Sequence, residues 1–170
     1  MIIAETERLL ISKVTLEDAP FFYELMNTPN WLKYIGDRNI KSVKASEENL
    51  KNGILKSYKE SGFGFYKVLL KSEKNKTIGT TGMVKREQLE DVDIGFGFLP
   101  NYEGKGYGYE SSIEIMKLAK SKFNLKKIVA ITNPDNNNSI KLLEKLGLVF
   151  EKRINPFDKD EELLLFAKDL

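Results

Sequence analysis

A glycine-rich segment between an apolar run and an amphipathic stretch constrains the fold of this chain most strongly. Residues 103–108 are EGKGYG, with a glycine at every second position from 104. The apolar run 92–99 before them is typical of a strand that Pro100 ends, and the stretch 109–123 after them has apolar residues at helical spacing. Glycines allow several backbone N–H groups to point toward one place, and the N-terminus of the following helix favours an anion there. The pattern predicts a strand–loop–helix unit that binds a phosphate or pyrophosphate.

Two common phosphate-binding motifs do not fit the spacing of this glycine loop. A Walker loop has Ser or Thr directly after its Gly-Lys pair, whereas Lys105 is followed by Gly106. The dinucleotide-binding fingerprint has a third glycine at the position that Tyr109 occupies here. The loop is therefore either another type of phosphate site or a flexible turn, which is the more common role of such a segment.

A second segment, 128–147, also predicts a strand followed by a helix. The β-branched run 128–132 predicts a strand that ends before Pro134. The Asn/Asp cluster 135–138 supplies a helix N-cap, and Gly147 is placed as a C-terminal cap. Taken alone, this segment predicts only a well-capped helix with Leu143 and Leu146 in the core.

Both segments resemble motifs of the GNAT superfamily, the acyl-CoA-dependent N-acetyltransferases. In that family the pyrophosphate loop has Gln or Arg, two residues, Gly, one residue, and then Gly or Ala. Gly106 and Gly108 match this pattern, whereas Glu103 replaces the usual first residue. The second segment is similar to the family's Asn-x-x-Ser and Glu-Lys-x-Gly elements, at residues 136–139 and 144–147.

The N-terminal region is similar to one branch of this superfamily. Residues 6–9, Thr-Glu-Arg-Leu, begin a predicted strand, and Thr15 with Asp18 predicts a variant capping box at the start of a helix. This opening resembles the branch that includes ribosomal-protein N-terminal acetyltransferases. The similarity spans nearly the whole chain and implies a single acetyltransferase domain over residues 1–170.

The resemblance implies an α/β (α+β) fold of the GNAT type. Its centre is a mixed, mostly antiparallel sheet of about seven strands flanked by about four helices, with a splay between the fourth and fifth strands. The periodicity of the sequence places strands at 8–14, 63–70, 77–85, 91–99, 128–132, 149–154 and 162–167. Helices are predicted at 16–27 and 46–60, after the glycine loop, and after Asn136, with Gly53 weakening the second.

The resemblance also implies acetyl-CoA as the acetyl donor, and it implies where that donor binds. The pyrophosphate is expected on the loop and the start of its helix, mostly through backbone, at Gly104, Lys105, Gly106, Tyr107, Gly108 and Tyr109. Pantetheine is expected along the strand before the loop and at the second helix, at Phe96, Gly97, Phe98, Asn136 and Ser139. Glycine inside a strand often marks the close approach of another group, which suits Gly95 and Gly97.

The catalytic residues are harder to assign, because the family's usual acid is missing. Many members place a tyrosine seven residues after the Asn, where this chain has Leu143. Ser139 is the best substitute acid, although a capping role is an equal alternative, and Tyr107 and Tyr109 are further candidates. For the base we name Asp93, acting through water, and then Glu87, although an ordinary surface carboxylate is the more common role of such residues.

The acceptor pocket is expected at aromatic residues near the first helix and neighbouring strands. The candidates are Trp31, Tyr34 and Phe65, with Phe63 and Tyr66 as further members, and core packing is their common alternative role. The resemblance implies that the acceptor is a primary amine, either a small molecule or a protein N-terminus.

Composition narrows the possible chemistry. The chain has no Cys and no His, which excludes Cys–His and Ser–His nucleophilic pairs and zinc sites of the usual Cys/His type. Direct transfer of the acetyl group is expected, without a covalent enzyme intermediate and without a metal cofactor. A net charge of +2 gives no case for nucleic acid, and no run is apolar enough for a membrane span or signal peptide. The lack of cysteine fits a cytoplasmic protein, and the family resemblance is compatible with a monomer or a homodimer. A non-catalytic acyl-CoA-binding module and a binding domain for another nucleotide stay open as alternatives.

Overall fold

The computed structural model describes residues 1–170. In it the chain folds into a single continuous sheet of eight strands flanked by five α-helices. The strands are β1 Ile2–Glu5, β2 Leu9–Ser12, β3 Phe65–Leu70, β4 Lys76–Val84, β5 Asp93–Phe98, β6 Lys127–Thr132, β7 Val149–Ile154 and β8 Leu163–Asp169. The helices are α1 Ala19–Leu25, α2 Val43–Asn52, α3 Ile54–Ser61, α4 Tyr107–Ser121 and α5 Asn137–Lys145. The sheet order is β1-β2-β3-β4-β5-β6-β8-β7. The expected mixed, mostly antiparallel sheet is confirmed, with one more strand than predicted.

The extra strand and an interrupted helix are the main differences from the sequence-based expectations. β1 has only four residues, too few for a clear alternation of apolar and polar positions, and it pairs with β2 through an irregular register. The predicted helix 46–60 consists of two helices that meet at Gly53. The predicted helix 16–27 begins as a 3₁₀ turn, at which Thr15 and Asp18 form the expected capping box, and continues as α1.

The sheet splays between β5 and β6, as expected for the fourth and fifth predicted strands. These two strands are parallel and pair at one position only, where Asp93 lies opposite Val129. Beyond that point β6 pairs with β8 over its whole length, while β5 pairs only with β4. The gap therefore opens from Asp93 toward the C-terminal ends of both strands. The backbone groups on that edge of β5 have no sheet partner.

Two large buried apolar clusters hold the helices against the sheet. The larger cluster includes Ile115, Met116 and Ala119 of α4, which lie against the sheet. The second cluster includes Phe22 of α1 and Leu50 of α2, both almost completely buried. Each large apolar side chain buried in this way contributes about 1.5–3 kcal/mol to the stability of the fold. The cleft described below is thus held by packed elements. No helix is both long enough and apolar enough to cross a membrane.

Candidate active site

A cleft of about 1310 Å³ lies over the splay of the sheet. It is bounded by β5, the glycine loop, the start of α5 and the segment that follows α1. Nearly all predicted site residues line it: Trp31, Tyr34, Phe65, Asp93, Phe96, Gly97, Phe98, Gly104, Gly106, Tyr107, Gly108, Tyr109, Asn136 and Ser139. Such a volume is sufficient for a large cofactor together with a second ligand. The structure therefore brings the two sequence motifs and the aromatic set into one concave site.

The glycine loop presents free backbone donors to this cleft. Gly104 and Gly106 adopt left-handed conformations, with φ of +71° and +85°, and Gly106 is the N-cap of α4. The first helical hydrogen bond runs from the Glu110 N–H to the Gly106 carbonyl at 3.0 Å. The N–H groups of the preceding first turn have no acceptor within the helix. Because α4 starts at Tyr107, two residues earlier than expected, its positive end lies inside the glycine motif.

Arg8 stabilises the glycine loop through hydrogen bonds, a role that the sequence patterns alone did not predict. Its Nε donates to Glu110 Oε1 at 2.8 Å, and its Nη1 donates to the Lys105 carbonyl at 3.1 Å. Its guanidinium also lies 4.4 Å from the centre of the Tyr107 ring. Burial raises the pKa of the Glu110 carboxyl, but the hydrogen bonds from Thr6 and Arg8 outweigh it and lower that pKa overall. The conformation of the loop therefore depends on the Thr-Glu-Arg-Leu segment.

Lys105 differs from the other loop residues in its position. Its side chain does not line the cleft, and its ammonium group lies 5.9 Å from the centre of the Tyr102 ring. Glu103, which replaces the family's usual first residue, accepts a hydrogen bond from Asn30 at 2.9 Å. Both side chains thus make local contacts around the loop.

Aromatic rings lie against the glycines of β5. A Cβ atom on Gly97 would lie 2.7 Å from Trp31 Cζ3, and one on Gly95 would lie 2.8 Å from Phe65 Cζ. The close approach that the glycines predicted is therefore made, at least in part, by these two rings. Phe63 and Tyr66, the further members of the predicted aromatic pocket, are buried in the core and do not line the cleft.

The segment Trp31–Ile35 forms a π-helix that lines the cleft. π-Helical turns are rare and frequently occur at functional sites. Asn133, directly after β6, donates from Nδ2 to the Tyr34 carbonyl at 2.7 Å and so ties this segment to the far side of the splay. Trp31 Nε1 is a buried donor without a hydrogen-bond partner. Neither feature has a periodic signature in the sequence.

Asp93 is buried at the narrow end of the splay, with 3% of its surface exposed. Its Oδ2 accepts a hydrogen bond from Arg86 Nε at 2.7 Å. Burial raises the pKa of the Asp93 carboxyl to about 6, although the charge and the hydrogen bond of Arg86 act in the opposite direction. The expectation that this residue is more commonly a surface carboxylate is wrong for Asp93. Glu87, the second candidate base, is exposed and does not line the cleft.

At the start of α5, Asn136 is the capping residue and Ser139 keeps a free hydroxyl. The Asn136 side chain is the N-cap and accepts a hydrogen bond from the Ser139 backbone N–H at 3.3 Å. The Ser139 hydroxyl makes no hydrogen bond within the chain, so it is not the capping group. Leu143, at the position of the family's tyrosine, is 1% exposed and packs in the core. No tyrosine hydroxyl replaces it at that position.

A splayed sheet with a phosphate-type loop at a helix N-terminus is the architecture of acyl-CoA transferases of the GNAT type. Residues 8–149 match the acetyltransferase (GNAT) domain, and the chain belongs to this family. The sequence is 30% identical over 143 residues to the uncharacterized N-acetyltransferase YnaD of Bacillus subtilis strain 168, covering 84% of this chain and 80% of YnaD. The family expected from the sequence is thereby confirmed, and acetyl transfer is its general activity.

Solved structures show the same fold at low sequence identity. The ribosomal L7/L12 alpha-N-protein acetyltransferase RimL, in complex with coenzyme A, superposes with a TM-score of 0.84 at 15% identity, covering 100% of this chain and 98% of RimL. The microcin C7 self-immunity acetyltransferase MccE, in complex with acetyl-CoA and AMP, gives a TM-score of 0.81 at 15% identity, covering 97% of this chain and 94% of MccE. These likenesses confirm the GNAT fold, including its similarity to a ribosomal-protein acetyltransferase.

Proposed function

We propose that this protein is an acetyl-CoA-dependent N-acetyltransferase that moves acetyl directly to a primary amine, as a single domain over residues 1–170. The amine belongs to a small molecule or a protein N-terminus, and the enzyme acts as a monomer or homodimer. One observation carries the proposal: the free donors of α4 and the unpaired edge of β5 line the same cleft as the buried carboxylate of Asp93.

The residues of the cleft fit acetyl-CoA as the donor. The N–H groups at the start of α4, from Tyr107 to Tyr109, have no acceptor within the helix and so can donate to the pyrophosphate, and the helix dipole favours its charge. The free edge of β5 at residues 96–98 is suited to hydrogen bonds with the amides of pantetheine. Coenzyme complexes of the structural neighbours RimL and MccE support the same donor. When bound, acetyl-CoA supplies an activated acyl group as a thioester.

Asp93 is the proposed base, and its environment suits that role. An amine nucleophile must lose a proton, and a base with a pKa near the working pH accepts it most effectively. Burial raises the pKa of Asp93 to about 6, which lies between the usual pKa of a surface carboxylate and a working pH of about 7. Its Oδ1 makes no hydrogen bond within the chain and so can bind a water that relays the proton. The Arg86 hydrogen bond to Oδ2 fixes the orientation of the carboxylate.

Ser139 is the proposed acid at the thiolate. Its hydroxyl is free, lines the cleft and lies in the first turn of α5, where the helix N-terminus also stabilises a developing negative charge. A backbone N–H on the free edge of β5 is placed to stabilise the oxyanion. Without Cys or His the chain cannot form a Cys–His or Ser–His nucleophilic pair to carry the acyl group, which favours direct transfer.

A non-catalytic acyl-CoA sensor is the second candidate function. The observation that favours it is Leu143, whose buried side chain occupies the position of the family's catalytic tyrosine. A sensor binds the coenzyme through the same loop and β5 edge but releases no product. The two functions therefore predict the same ligand and differ only in turnover.

A matched pair of glycine variants tests the binding site. Gly106 and Gly62 both adopt left-handed backbone conformations, with φ of +85° and +81°, but Gly62 ends α3 and is not itself a cleft-lining residue. Alanine at either position costs about 1–2 kcal/mol of stability. Only Gly106→Ala also changes the phosphate loop, where the new Cβ would lie 3.2 Å from Arg8 Nη2. We expect acetyl-CoA to raise the melting temperature of wild type and of Gly62→Ala, but not of Gly106→Ala.

Thermal stabilisation by the ligand and release of CoA together distinguish the candidate functions. At about a hundred times its dissociation constant, acetyl-CoA stabilises the fold by about 2.7 kcal/mol. Release of CoA in the presence of an amine supports the enzyme, and binding without release across an amine panel supports the sensor. Stabilisation by ATP or NAD but not by acetyl-CoA would contradict both. Equal acetyl-CoA shifts in the two alanine variants would refute the assignment of the loop.

A further inference from the structure

Two arginines line the part of the cleft that contains the proposed base. Arg38 follows the π-helix Trp31–Ile35, and Arg86 follows β4. Arg86 is held from two sides, because its Nε binds Asp93 and its guanidinium lies 5.6 Å from the centre of the Phe157 ring. The two arginines therefore line one cleft with Asp93.

Arg38 has no partner of opposite charge within the chain. No hydrogen bond or ion pair joins its guanidinium to another residue, and its side chain is accessible to solvent in the cleft. The adjacent carboxylate, Asp37, accepts a hydrogen bond from the Asn39 backbone N–H at 2.8 Å. Partial burial, and then the like charge of Arg86, lower the pKa of the Arg38 guanidinium, although the side chain stays exposed to solvent.

Arg86 is only partly satisfied by Asp93. A guanidinium has five N–H donors, and one of them, at Nε, is used by Asp93 Oδ2 at 2.7 Å. The Nη groups make no hydrogen bond to the chain, and 26% of the side-chain surface is exposed. Arg86 therefore offers free, planar donors next to the proposed base, and Arg38 offers a second set in the same cleft. Such donors bind carboxylate and phosphate groups in bidentate geometry.

We propose that the acceptor is a small primary amine with an anionic group, a carboxylate or a phosphate, which Arg38 and Arg86 bind while Asp93 faces the amine. This inference rests on the proposed transferase function and names its substrate class. Because Arg86 contacts both the anion site and Asp93, only a few bonds separate the anionic group from the amine. Amino acids and aminoalkyl phosphates have this arrangement, whereas polyamines and neutral amines do not.

Matched acceptors test the proposal by comparing each anionic amine with a neutral counterpart. The carboxylate arm pairs L-amino acids with their amides, and the phosphate arm pairs O-phosphoethanolamine with ethanolamine. CoA release gives kcat/KM for each acceptor. Hydrogen bonds to a charged group support a preference of about 10- to 100-fold for the anionic member of at least one pair. The arm that shows the preference identifies the anion.

An arginine variant with a matched control links the preference to the cleft. Arg38→Gln should lower the anionic-to-neutral ratio of kcat/KM by about 10-fold or more, and Arg38→Lys should restore part of it. Arg153→Gln removes the same charge from the exposed edge strand β7, outside the cleft, and should leave the ratio unchanged. An unchanged ratio in Arg38→Gln would overturn the proposal, as would equal use of anionic and neutral amines. Failure of every amine would instead refute the transferase function, on which this proposal depends.

Discussion

Replacing Asp93 by Asn isolates the titration of the buried carboxyl group. Asparagine has nearly the same shape, and its side-chain oxygen can still accept the Arg86 hydrogen bond, but it carries no charge at any pH. Wild type and variant thus share all other titrating groups, whose contributions largely cancel in a comparison of the two proteins. The difference between their free energies of unfolding then reports the protonation of Asp93.

The magnitude follows from the difference between the two pKa values of this carboxyl group. Burial raises the pKa of Asp93 from 3.8 in the unfolded chain to about 6 in the folded protein. Between these values the folded protein holds a proton that the unfolded chain has released, so the free energy of unfolding falls as the pH rises. Each pH unit between the two pKa values corresponds to about 1.4 kcal/mol, which amounts to about 3 kcal/mol over the whole window.

Urea unfolding between pH 4 and pH 7.5 measures this difference. Stability of wild type relative to Asp93→Asn should fall by about 2–3 kcal/mol as the pH rises from about 4 to about 7 and then level off. As the proposed base, Asp93 should also give kcat/KM a rising limb near pH 6, which the variant lacks. A relative stability that stays flat or increases with pH would show that Arg86 outweighs burial. That result would refute the raised pKa and with it this account of the base.

Two further predictions concern hydroxyl groups with opposite expected roles. Ser139→Ala should lower kcat by about 10²-fold or more if Ser139 is the acid. The melting temperature should not change, because the hydroxyl makes no hydrogen bond in the fold. An unchanged kcat would exclude Ser139 as the acid. Tyr58→Phe should cost about 1–3 kcal/mol in urea unfolding, because the Tyr58 hydroxyl donates to the Phe65 carbonyl and accepts from the Val14 N–H. The acetyl-CoA shift should not change, because Tyr58 itself does not line the cleft. A neutral stability change would contradict that role.

The sequence predicted the parts of the fold that local patterns determine. Alternating apolar residues identified the long central strands, and the glycine motif located the loop at the start of α4. Thr15 and Asp18 indicated their capping box, because both hydrogen bonds of that motif join residues three or fewer positions apart. The splay was expected from family resemblance and is confirmed by the single pairing between β5 and β6.

Features that depend on distant contacts could not be predicted in this way. Arg8 reaches the glycine loop across nearly a hundred positions of sequence, so no local pattern indicates its contact with Lys105. The π-helix Trp31–Ile35 has no periodicity of its own and is tied down by Asn133 from the far side of the splay. Burial of Asp93 likewise depends on the packing of the sheet, which made a surface position the more common expectation.

The most direct test of the transferase function is the release of CoA from acetyl-CoA in the presence of a primary amine, followed with a thiol-reactive dye. The chain contains no Cys, so free CoA is the only thiol that the purified protein and its substrates produce. We predict release that requires both protein and amine and that Gly106→Ala abolishes. Binding of acetyl-CoA without amine-dependent release, across anionic and neutral acceptors alike, would contradict the proposed transferase and indicate a sensor.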